Sequence, residues 1–491
     1  MHVYLNPQYS IRNEKGSSYI IAKTIPVSER LMGTVGISIV PPMIGYILSH
    51  IGSCELELAE KGISDKTQLP VETIDRFIKQ LVDNSRMVGW KYKGVTVSFP
   101  PYLLTSSKEK STGDIYTADD FCYSDIFIPK RPSIPLSINF MITTKCCTNC
   151  IYCYADRNRK DDLSSQDILK VLDEAHELGL INLALSGGDI FAFPDWKKVI
   201  QKVSQYRFSS FLSTKVPLSR EDVFFLKDEG VKYLQISLDA VTPDVLVDML
   251  KVKSDYAHKM KLMLQYCNEA GLKVNIRTVL TKYNANEMEM NNLYSFLNTL
   301  SNINSWTFTP AFYSAFKDDY QQYRASDEAL ITVYNLTMSL SASAHFSIVH
   351  NKMDGQNYIL QLYPTVEEFV KNNKICNANS YSMAILSNGD VTACEMLYDN
   401  PNFVFGNVRD QSLYELWNSP VALKMYSYRQ DMIKQKENNK CASCRVYSDC
   451  KLNVGKRICY VDITKVYGED KYEYPDPGCP QALPIEENLI L

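Results

Sequence analysis

The sequence predicts an α/β protein in three parts: a small N-terminal module, a central series of βα units and a cysteine-rich C-terminal region. The chain has 491 residues, of which 45% are hydrophobic and 22% charged, so it is globular and long enough for several domains. Residues 134–310 alternate six strand-like runs with helical stretches, which is typical of a parallel sheet with right-handed crossovers. Periodicity alone does not separate an open sheet from a partial barrel.

The N-terminal module covers residues 1–104. Short β-like runs at 19–22 and 36–40 precede a helix that opens at Pro41-Pro42, and apolar residues at helical spacing predict a second helix over 71–84. The pattern at 90–97 predicts a closing hairpin. The following stretch, 105–133, is polar and predicts a linker.

The central series carries the strand–helix alternation. Ser164, with Asp167 three residues on, predicts a capped helix start. The predicted strands are 136–143, 182–185, 210–213, 233–238, 273–280 and 306–309, and the predicted helices are 164–178, 194–206, 219–228, 256–270 and 286–299. We place this domain at 134–315, followed by a bridging, mostly helical region at 316–375. From 376 onward long periodic runs are scarce, so metal clusters would have to supply the missing constraint on folding.

Charge and composition exclude several classes of function. The net charge of −4 gives no support for a nucleic-acid partner. No stretch approaches the ~18 apolar residues of a membrane helix, so no membrane association is expected. The N-terminus lacks the pattern of a signal peptide, which predicts a cytoplasmic protein. In that reducing compartment, the clustering of the 14 cysteines favours metal sites over disulfides.

The strongest motif is Cys146, Cys150 and Cys153, which form C-x3-C-x2-C directly after the first strand of the series when Cys147 is left out. Three thiolates on one loop can hold three corners of a cubane cluster and leave the fourth iron free to bind a small molecule. The aromatic ring of Tyr152, next to Cys153, is suited to stack against such a molecule. A zinc knuckle, a redox pair and buried structural thiols are the alternatives, and zinc is disfavoured because no fourth Cys or His lies nearby.

This loop resembles the hallmark of the radical S-adenosylmethionine (SAM) superfamily, where it follows the first strand of a partial (β/α)6 barrel. Ser186-Gly187-Gly188-Asp189, after the second strand, corresponds to the Gly-Gly-Glu motif of that family with Asp in place of Glu, and implies a contact to the SAM amino group. The resemblance also implies that polar residues on later strands contact SAM. The alternative is that Ser237 and Asp239 only cap the turn before the next helix. The further candidates, with Tyr152, are Ser213, Ser237, Asp239 and Arg277.

A second constellation of seven cysteines lies in 376–491 and resembles the SPASM extension of radical SAM enzymes, which holds two auxiliary iron–sulfur clusters. The resemblance assigns an outer cluster (auxiliary II) to Cys441, Cys444, Cys450 and Cys479, and an inner cluster (auxiliary I) to Cys376, Cys394 and Cys459. The family has C-x3-C where this chain separates Cys450 from Cys459 by eight residues. The cofactors implied are three [4Fe-4S] clusters and SAM.

Seven thiolates are one short of the eight that two four-iron clusters can take. The inner cluster therefore keeps an open iron, or Cys122, Cys267 or a non-cysteine group completes it. A pair of zinc ribbons would use the same thiolates and is the alternative.

Residues 1–104 resemble the PqqD-like recognition element of maturases that act on ribosomally synthesised, post-translationally modified peptides (RiPPs). This winged-helix-like domain binds a leader peptide as an added strand, here beside residues 37–40 and against the helix at 71–84. A winged helix without a ligand, or one that binds DNA, is the alternative. The nearly balanced charge of the module disfavours DNA.

Together these features predict a radical SAM enzyme that modifies a precursor peptide through a 5′-deoxyadenosyl radical, first of all by forming thioether cross-links of the sactipeptide or ranthipeptide type. The same architecture would also suit carbon–carbon cross-linking, epimerisation or formylglycine formation. A non-enzymatic metal-cluster scaffold that binds peptides is a further alternative. The implied partners are the precursor peptide and a flavodoxin- or ferredoxin-type reductant. No residue stands out as the catalytic acid or base.

Overall fold

The computed structural model forms two compact units, Met1–Leu136 and Ser137–Leu491. None of its helices is long and apolar enough to cross a membrane, within the residues described. Those residues are 2–23, 36–52, 55–92, 94–107, 112–123, 126–153, 155, 161–206, 208–311, 320–350, 363–373, 376–397, 400–433, 439–452, 456 and 458–482.

The N-terminal unit combines a four-stranded sheet, three helices and a separate hairpin. Its elements are β1 (Tyr4–Leu5), β2 (Tyr9–Glu14), β3 (Ser17–Ala22), β4 (Ile37–Val40), α1 (Pro42–Ser49), α2 (Leu56–Thr67), α3 (Val71–Leu81), β5 (Val88–Tyr92), β6 (Val95–Phe99), β7 (Leu104–Thr105) and β8 (Asp114–Thr117). The strand order of the sheet is β4-β3-β2-β8, and β5 pairs with β6 as the predicted hairpin.

Helix α3 closes the core of this unit with one apolar face. Ile74, Phe77, Ile78 and Leu81 are buried at the i, i+3, i+4 and i+7 spacing of a helix. The Phe77 ring packs edge-on against the rings of Trp90 and Phe99 in the hairpin. The helix and the hairpin predicted from sequence are therefore confirmed.

Described parts of the stretch 105–133, which the sequence predicts to be a linker, pack against the N-terminal sheet. Strand β8 pairs in parallel with β2. Further along, Ser133 donates its N–H to Glu14 Oε2 at 2.9 Å, and the Ser17 hydroxyl donates to the Ile128 carbonyl at 2.5 Å. A short, polar, exposed strand carries too little hydrophobic alternation to be recognised from sequence.

The second unit is built on a long sheet with helices in its crossovers. The elements are β9 (Ser137–Met141), α4 (Ser165–Glu177), β10 (Asn182–Ser186), α5 (Trp196–Tyr206), β11 (Ser209–Thr214), α6 (Arg220–Asp228), β12 (Tyr233–Ser237), α7 (Pro243–Leu250), α8 (Tyr256–Glu269), β13 (Lys273–Leu280), α9 (Glu287–Leu297), β14 (Ile303–Pro310), α10 (Tyr320–Tyr323), α11 (Asp327–Leu340), β15 (Ser347–His350), α12 (Val366–Asn372), β16 (Ser382–Ile385), β17 (Asp390–Thr392), β18 (Val404–Asn407), α13 (Leu413–Trp417), α14 (Pro420–Tyr426) and α15 (Tyr460–Tyr467).

The strand order confirms a mostly parallel, partial-barrel-like sheet. Strands β9 to β15 follow one another in sequence order and pair in parallel. On its other edge β9 pairs in parallel with β16, and β16-β17-β18 continue antiparallel. The C-terminal region therefore begins as an extension of the barrel sheet, which places the segment between Cys376 and Cys394 next to the first barrel strand.

The six predicted strands and five predicted helices all form, and Ser164 and Asp167 make the predicted capping box. The structure adds helix α7 in the fourth crossover and a seventh parallel strand, β15, inside the predicted bridging region. Strand β15 is only four residues long, too short for its period to be recognised.

Candidate functional site

The loop that carries the first cysteine motif follows β9 and is fixed to the end of helix α7. The Asn149 N–H donates to the Leu250 carbonyl at 2.8 Å, and the Ile151 N–H donates to the Met249 carbonyl at 2.9 Å. Helix α7 therefore positions the cysteine loop, although the sequence analysis did not identify it. Its signal was present: Pro243 occupies the first helical position, where proline is favoured.

The three predicted ligands of this loop are unequally buried. Thr148 Oγ1 lies 3.2 Å from Cys146 Sγ and 3.3 Å from Cys150 Sγ, so one hydroxyl bridges two of the three sulfurs. Cys150 is buried, which raises the pKa of its thiol, whereas Cys153 is half-buried. Cys147 is exposed, and its Sγ lies 3.7 Å from the Lys215 carbonyl oxygen. The grouping of Cys146 with Cys150 fits a shared cluster without Cys147.

The two glycines after β10 let this turn pack directly onto the chain that leads to the cysteine loop. A Cβ at Gly187 would lie 2.3 Å from the Thr143 carbonyl oxygen, and one at Gly188 would lie 2.2 Å from the Lys145 carbonyl oxygen. Gly187 also has a φ of +152°. Close contact between two backbones thus requires glycine at both positions.

The Asp189 carboxylate accepts hydrogen bonds from three other residues of the chain. It accepts the Lys215 N–H at 2.7 Å, the Phe191 N–H at 3.1 Å and the Thr214 hydroxyl at 2.9 Å. Burial raises the pKa of Asp189 to about 6, and these hydrogen bonds act in the opposite direction. Because a carboxylate can accept about four hydrogen bonds, one further donor can be accommodated. The contact of Asp189 to the SAM amino group stays a prediction.

A buried ion pair lies beside the cysteine loop. Lys215 Nζ lies 2.6 Å from Asp239 Oδ2 and 2.7 Å from the Tyr152 hydroxyl, which also donates to Asp239. The Val279 N–H donates to the other Asp239 oxygen at 2.9 Å, and no part of the Asp239 side chain is exposed. Every charge in this group is therefore paired. The sequence analysis missed Lys215, whose only signal is its position directly after β11.

The remaining predicted SAM contacts lie on neighbouring strands. The Ser186 hydroxyl donates to Asn139 Oδ1 at 2.7 Å, and Ser213 Oγ accepts a hydrogen bond from Gln235 at 2.7 Å. Ser237 is the Cα partner of Arg277 in the β12–β13 ladder. Ser186, Ser213 and Ser237 all stand at the carboxyl ends of their strands, where ligands gather in parallel α/β folds.

The C-terminal cysteines separate into two groups. Burial raises the pKa of the Cys394 thiol, and the Cys376 thiol raises it further. The pKa of Cys459 is likewise raised by burial, then by Asp462 and by Cys376. These interactions agree with the predicted inner group, whose ligand set stays a prediction.

The four cysteines predicted for the outer group lie around one cavity. Burial raises the pKa of Cys450 to about 12, with contributions from Cys441 and Cys479. Cys441 and Cys444 also raise the pKa of Cys479. One cavity is lined by all four of these cysteines, together with Val366, Phe369, Tyr447, Lys451 and Asp476 among others. Four thiolates around one cavity fit the ligand set of a cubane cluster.

The completion of the inner group, by an open iron, by Cys122 or Cys267, or by a non-cysteine group, stays a prediction. Cys267 is fully buried on α8, and burial alone raises the pKa of its thiol to about 12. Cys122 is exposed and belongs to the N-terminal unit. The carboxylate oxygen Oε2 of Glu395 lies 3.7 Å from Cys394 Sγ, and Asp462 lies within electrostatic reach of Cys459.

Single-ion sites are absent from the described part of the chain: no three His, Cys, Asp or Glu side chains there form a group that could hold one metal ion.

Comparison with known proteins agrees with this geometry. Residues 140–293 match the model of the radical SAM superfamily, and residues 376–445 match SPASM, described as an iron–sulfur cluster-binding domain. A crystal structure of Streptococcus suis SuiB bound to precursor peptide SuiA is similar with a TM-score of 0.64 and 16% identity, over 97% of this chain and 100% of that one. The similarity to SuiB shows that the two chains share a fold.

Two curated relatives illustrate how far the sequence similarity extends. A PqqA peptide cyclase of Rhizobium meliloti is 22% identical over 298 residues, which is 60% of this chain and 76% of that protein. A probable GTP 3′,8-cyclase of Methanothermobacter marburgensis is 27% identical over 171 residues, or 34% of this chain, and the match covers only 54% of that protein. From the two family models and the geometry of the cysteines, we conclude that the chain contains a radical SAM domain followed by a SPASM iron–sulfur-binding domain.

Proposed function

We propose that this protein is a radical SAM maturase that forms thioether cross-links in a ribosomally made precursor peptide. The observation that supports the proposal is the cavity that Cys441, Cys444, Cys450 and Cys479 line together. Three C-terminal cysteines, Cys376, Cys394 and Cys459, stay outside its lining, and we assign them to a second group with an incomplete set of thiolates. An incomplete thiolate set leaves one metal position for a substrate group, and a peptide thiolate suits iron–sulfur metal.

Residues of the barrel would hold the cofactors and orient the peptide. Cys146, Cys150 and Cys153 would bind the first cluster, which with SAM supplies the 5′-deoxyadenosyl radical that removes a hydrogen atom from the peptide. The ion pair of Lys215 and Asp239 fixes the Tyr152 side chain beside those ligands. The protein thus orients the reactants and excludes competing reactions.

Thioether formation removes two hydrogens from the peptide. One leaves a carbon as a hydrogen atom and becomes part of 5′-deoxyadenosine. The other leaves the cysteine sulfur as a proton. One electron is left over when the carbon–sulfur bond forms, and it must pass to an acceptor. The auxiliary sites of the same unit are the proposed acceptor, which explains why a second set of clusters accompanies the first.

The N-terminal unit would recognise the leader of the precursor. In the described part of the chain, β4 is an edge strand that pairs only with β3. Because the Ala22 N–H donates to the Gly36 carbonyl, the alternation of an antiparallel pair turns the amides of Ile37 and Ile39 away from β3. A leader strand added there would gain backbone hydrogen bonds.

The compared proteins support a peptide substrate over a nucleotide. The peptide cyclase match extends over 60% of this chain, and the SuiB structure holds a precursor peptide over nearly the same fold. The match to the probable GTP cyclase is confined to 34% of the chain. Formylglycine formation is disfavoured by the leader-binding unit.

The test is co-expression with a short cysteine-containing peptide encoded beside the gene, followed by intact mass and thiol alkylation. Loss of two hydrogens for each cysteine, with alkylation blocked, would support the thioether. The same mass loss with every thiol still alkylated would point to a carbon–carbon link. An unchanged mass with deuterium uptake from solvent would indicate epimerisation, and no modification with any such peptide would count against a maturase.

A further inference from the structure

A buried carboxylate connects the two groups of auxiliary cysteines. Asp476 is 8% exposed and lines the cavity of the outer group. Its Oδ2 accepts the backbone N–H of Cys459, an inner-group residue, at 2.8 Å. Its Oδ1 accepts the N–H of Gly478 at 2.9 Å, and its own carbonyl accepts the N–H of Cys479, an outer-group residue, at 2.8 Å. One side chain therefore fixes a cysteine-bearing segment of each group.

The carboxylate of Asp476 lies close to both groups. It accepts a hydrogen bond from the backbone of Cys459 in the inner group, and it lines the cavity of the four outer-group cysteines. Its negative charge therefore acts near both sets of ligands. Asp462 is placed more locally, in the first turn of α15, three residues after the inner-group Cys459.

We propose that Asp476 is a positioning residue shared by both auxiliary clusters, which holds a loop of each site and sets both reduction potentials together. Its two oxygens accept the backbone N–H groups of Cys459 and Gly478, and these bonds hold a ligand-bearing segment of each group. Net charge and hydrogen bonding around a cluster determine its potential, and outer partners of metal ligands also determine retention of the metal. The inference rests on the proposed binding of one cluster by each cysteine group.

The experiment uses the full-length, reconstituted protein with Cys146, Cys150 and Cys153 replaced by alanine, so that only auxiliary clusters contribute signals. Redox titration followed by electron paramagnetic resonance measures both midpoint potentials, and Cys376→Ala identifies the inner signal. In Asp476→Asn, which removes the charge and keeps an oxygen acceptor, both potentials shift in the positive direction.

Asp462→Asn is the matched control, since this carboxylate acts on the inner group. It shifts the inner potential and leaves the outer one unchanged. Asp476→Glu keeps the charge and restores both potentials most of the way to the parent values. A purely structural role would not distinguish the asparagine from the glutamate variant in this way.

Two outcomes overturn the proposal: a shift of only one cluster in Asp476→Asn, or intact clusters with unchanged potentials. If the variant loses iron, the shared role requires loss from both sites at similar rates, and release from one site alone contradicts it. Iron content and spectra of the parent protein are measured before any substitution at Asp476. Fewer than two auxiliary clusters there would overturn the two-cluster assignment itself. The two failures are therefore distinguishable.

Discussion

The cysteine loop of the barrel and the outer auxiliary region use the same ligand type in opposite structural settings. The barrel loop is bonded to α7 and lies over a large apolar core that includes Phe140, Leu185 and Ile236. The outer region, residues 439–452, consists of a 3-10 turn (Lys440–Ser443) and a π turn (Ser448–Leu452). Its own core is small, with Ile433, Cys441 and Tyr447 as the buried members.

This difference predicts two roles for metal clusters. The barrel can fold on apolar burial and strand pairing, so a cluster on its loop would serve chemistry alone. The outer region buries little apolar surface of its own, so a cluster there would also stabilise the local fold. The contrast has four measurable consequences.

The largest effect is expected from Cys150→Ala. Loss of a buried thiolate from the barrel loop removes a cluster ligand, so formation of 5′-deoxyadenosine should fall to background while the fold persists. Chromatography of the reaction products measures the first, and circular dichroism the second. Cys147→Ala is the matched control, because this exposed neighbour lies outside the motif and should retain most of the activity. Undiminished SAM cleavage in Cys150→Ala would refute the ligand assignment.

Removal of all iron should affect the two regions unequally. In the apoprotein we expect amide exchange over 439–452 to accelerate by about a thousandfold or more, while strands β9 to β14 keep their protection. Hydrogen–deuterium exchange with mass spectrometry compares both regions in one sample. Equal loss of protection in the barrel would show that the barrel also depends on metal for its stability.

Lys215→Met tests how much the buried ion pair beside the cysteine loop stabilises the metal-free protein. The substitution leaves Asp239 buried without its cation, so the free energy of unfolding of the apoprotein should fall by about 3–5 kcal/mol. Denaturant unfolding measures this change. The double variant Lys215→Met/Asp239→Asn removes both charges and should recover part of the loss. A single variant as stable as the parent would show that the ion pair does not support the site.

The smallest effect concerns leader binding in the N-terminal unit. Ile39→Pro removes one outward-facing amide from the open edge of β4, so leader affinity should fall about tenfold, or ~1.4 kcal/mol. Fluorescence titration with a labelled leader peptide measures the affinity. SAM cleavage without peptide should be unchanged. Parent-like affinity in this variant would place the leader elsewhere.

The sequence determined much of the barrel. Strands β9 to β14 have the length and hydrophobic periodicity that identify a strand locally, and Ser164 and Asp167 form their capping box within four residues. The spacing of Cys146, Cys150 and Cys153 predicted a cofactor loop, and the family models agree with it. These features are local in the chain, so local pattern is sufficient to reveal them.

Other features depend on contacts between distant segments. Strand β8 forms only because its backbone pairs with β2, about a hundred residues earlier. Lys215, Asp239 and Tyr152 belong to three different segments and meet only when the parallel strands bring their carboxyl ends together. Tyr152 and Asp239 were candidates from the sequence, but no local pattern shows that they meet each other and Lys215.

By itself, the sequence determined the order of the elements, the cysteine motifs and the chemistry that thiolates in such motifs can support. The tertiary structure decided which cysteines share a cavity, which carboxylate joins the two auxiliary groups and why Gly187 and Gly188 cannot carry a side chain. The physical reason is the separation along the chain over which each kind of interaction acts. Periodicity, capping and motif spacing act within a few residues of the chain, whereas burial, charge pairing and backbone packing are fixed only by segments that meet in space.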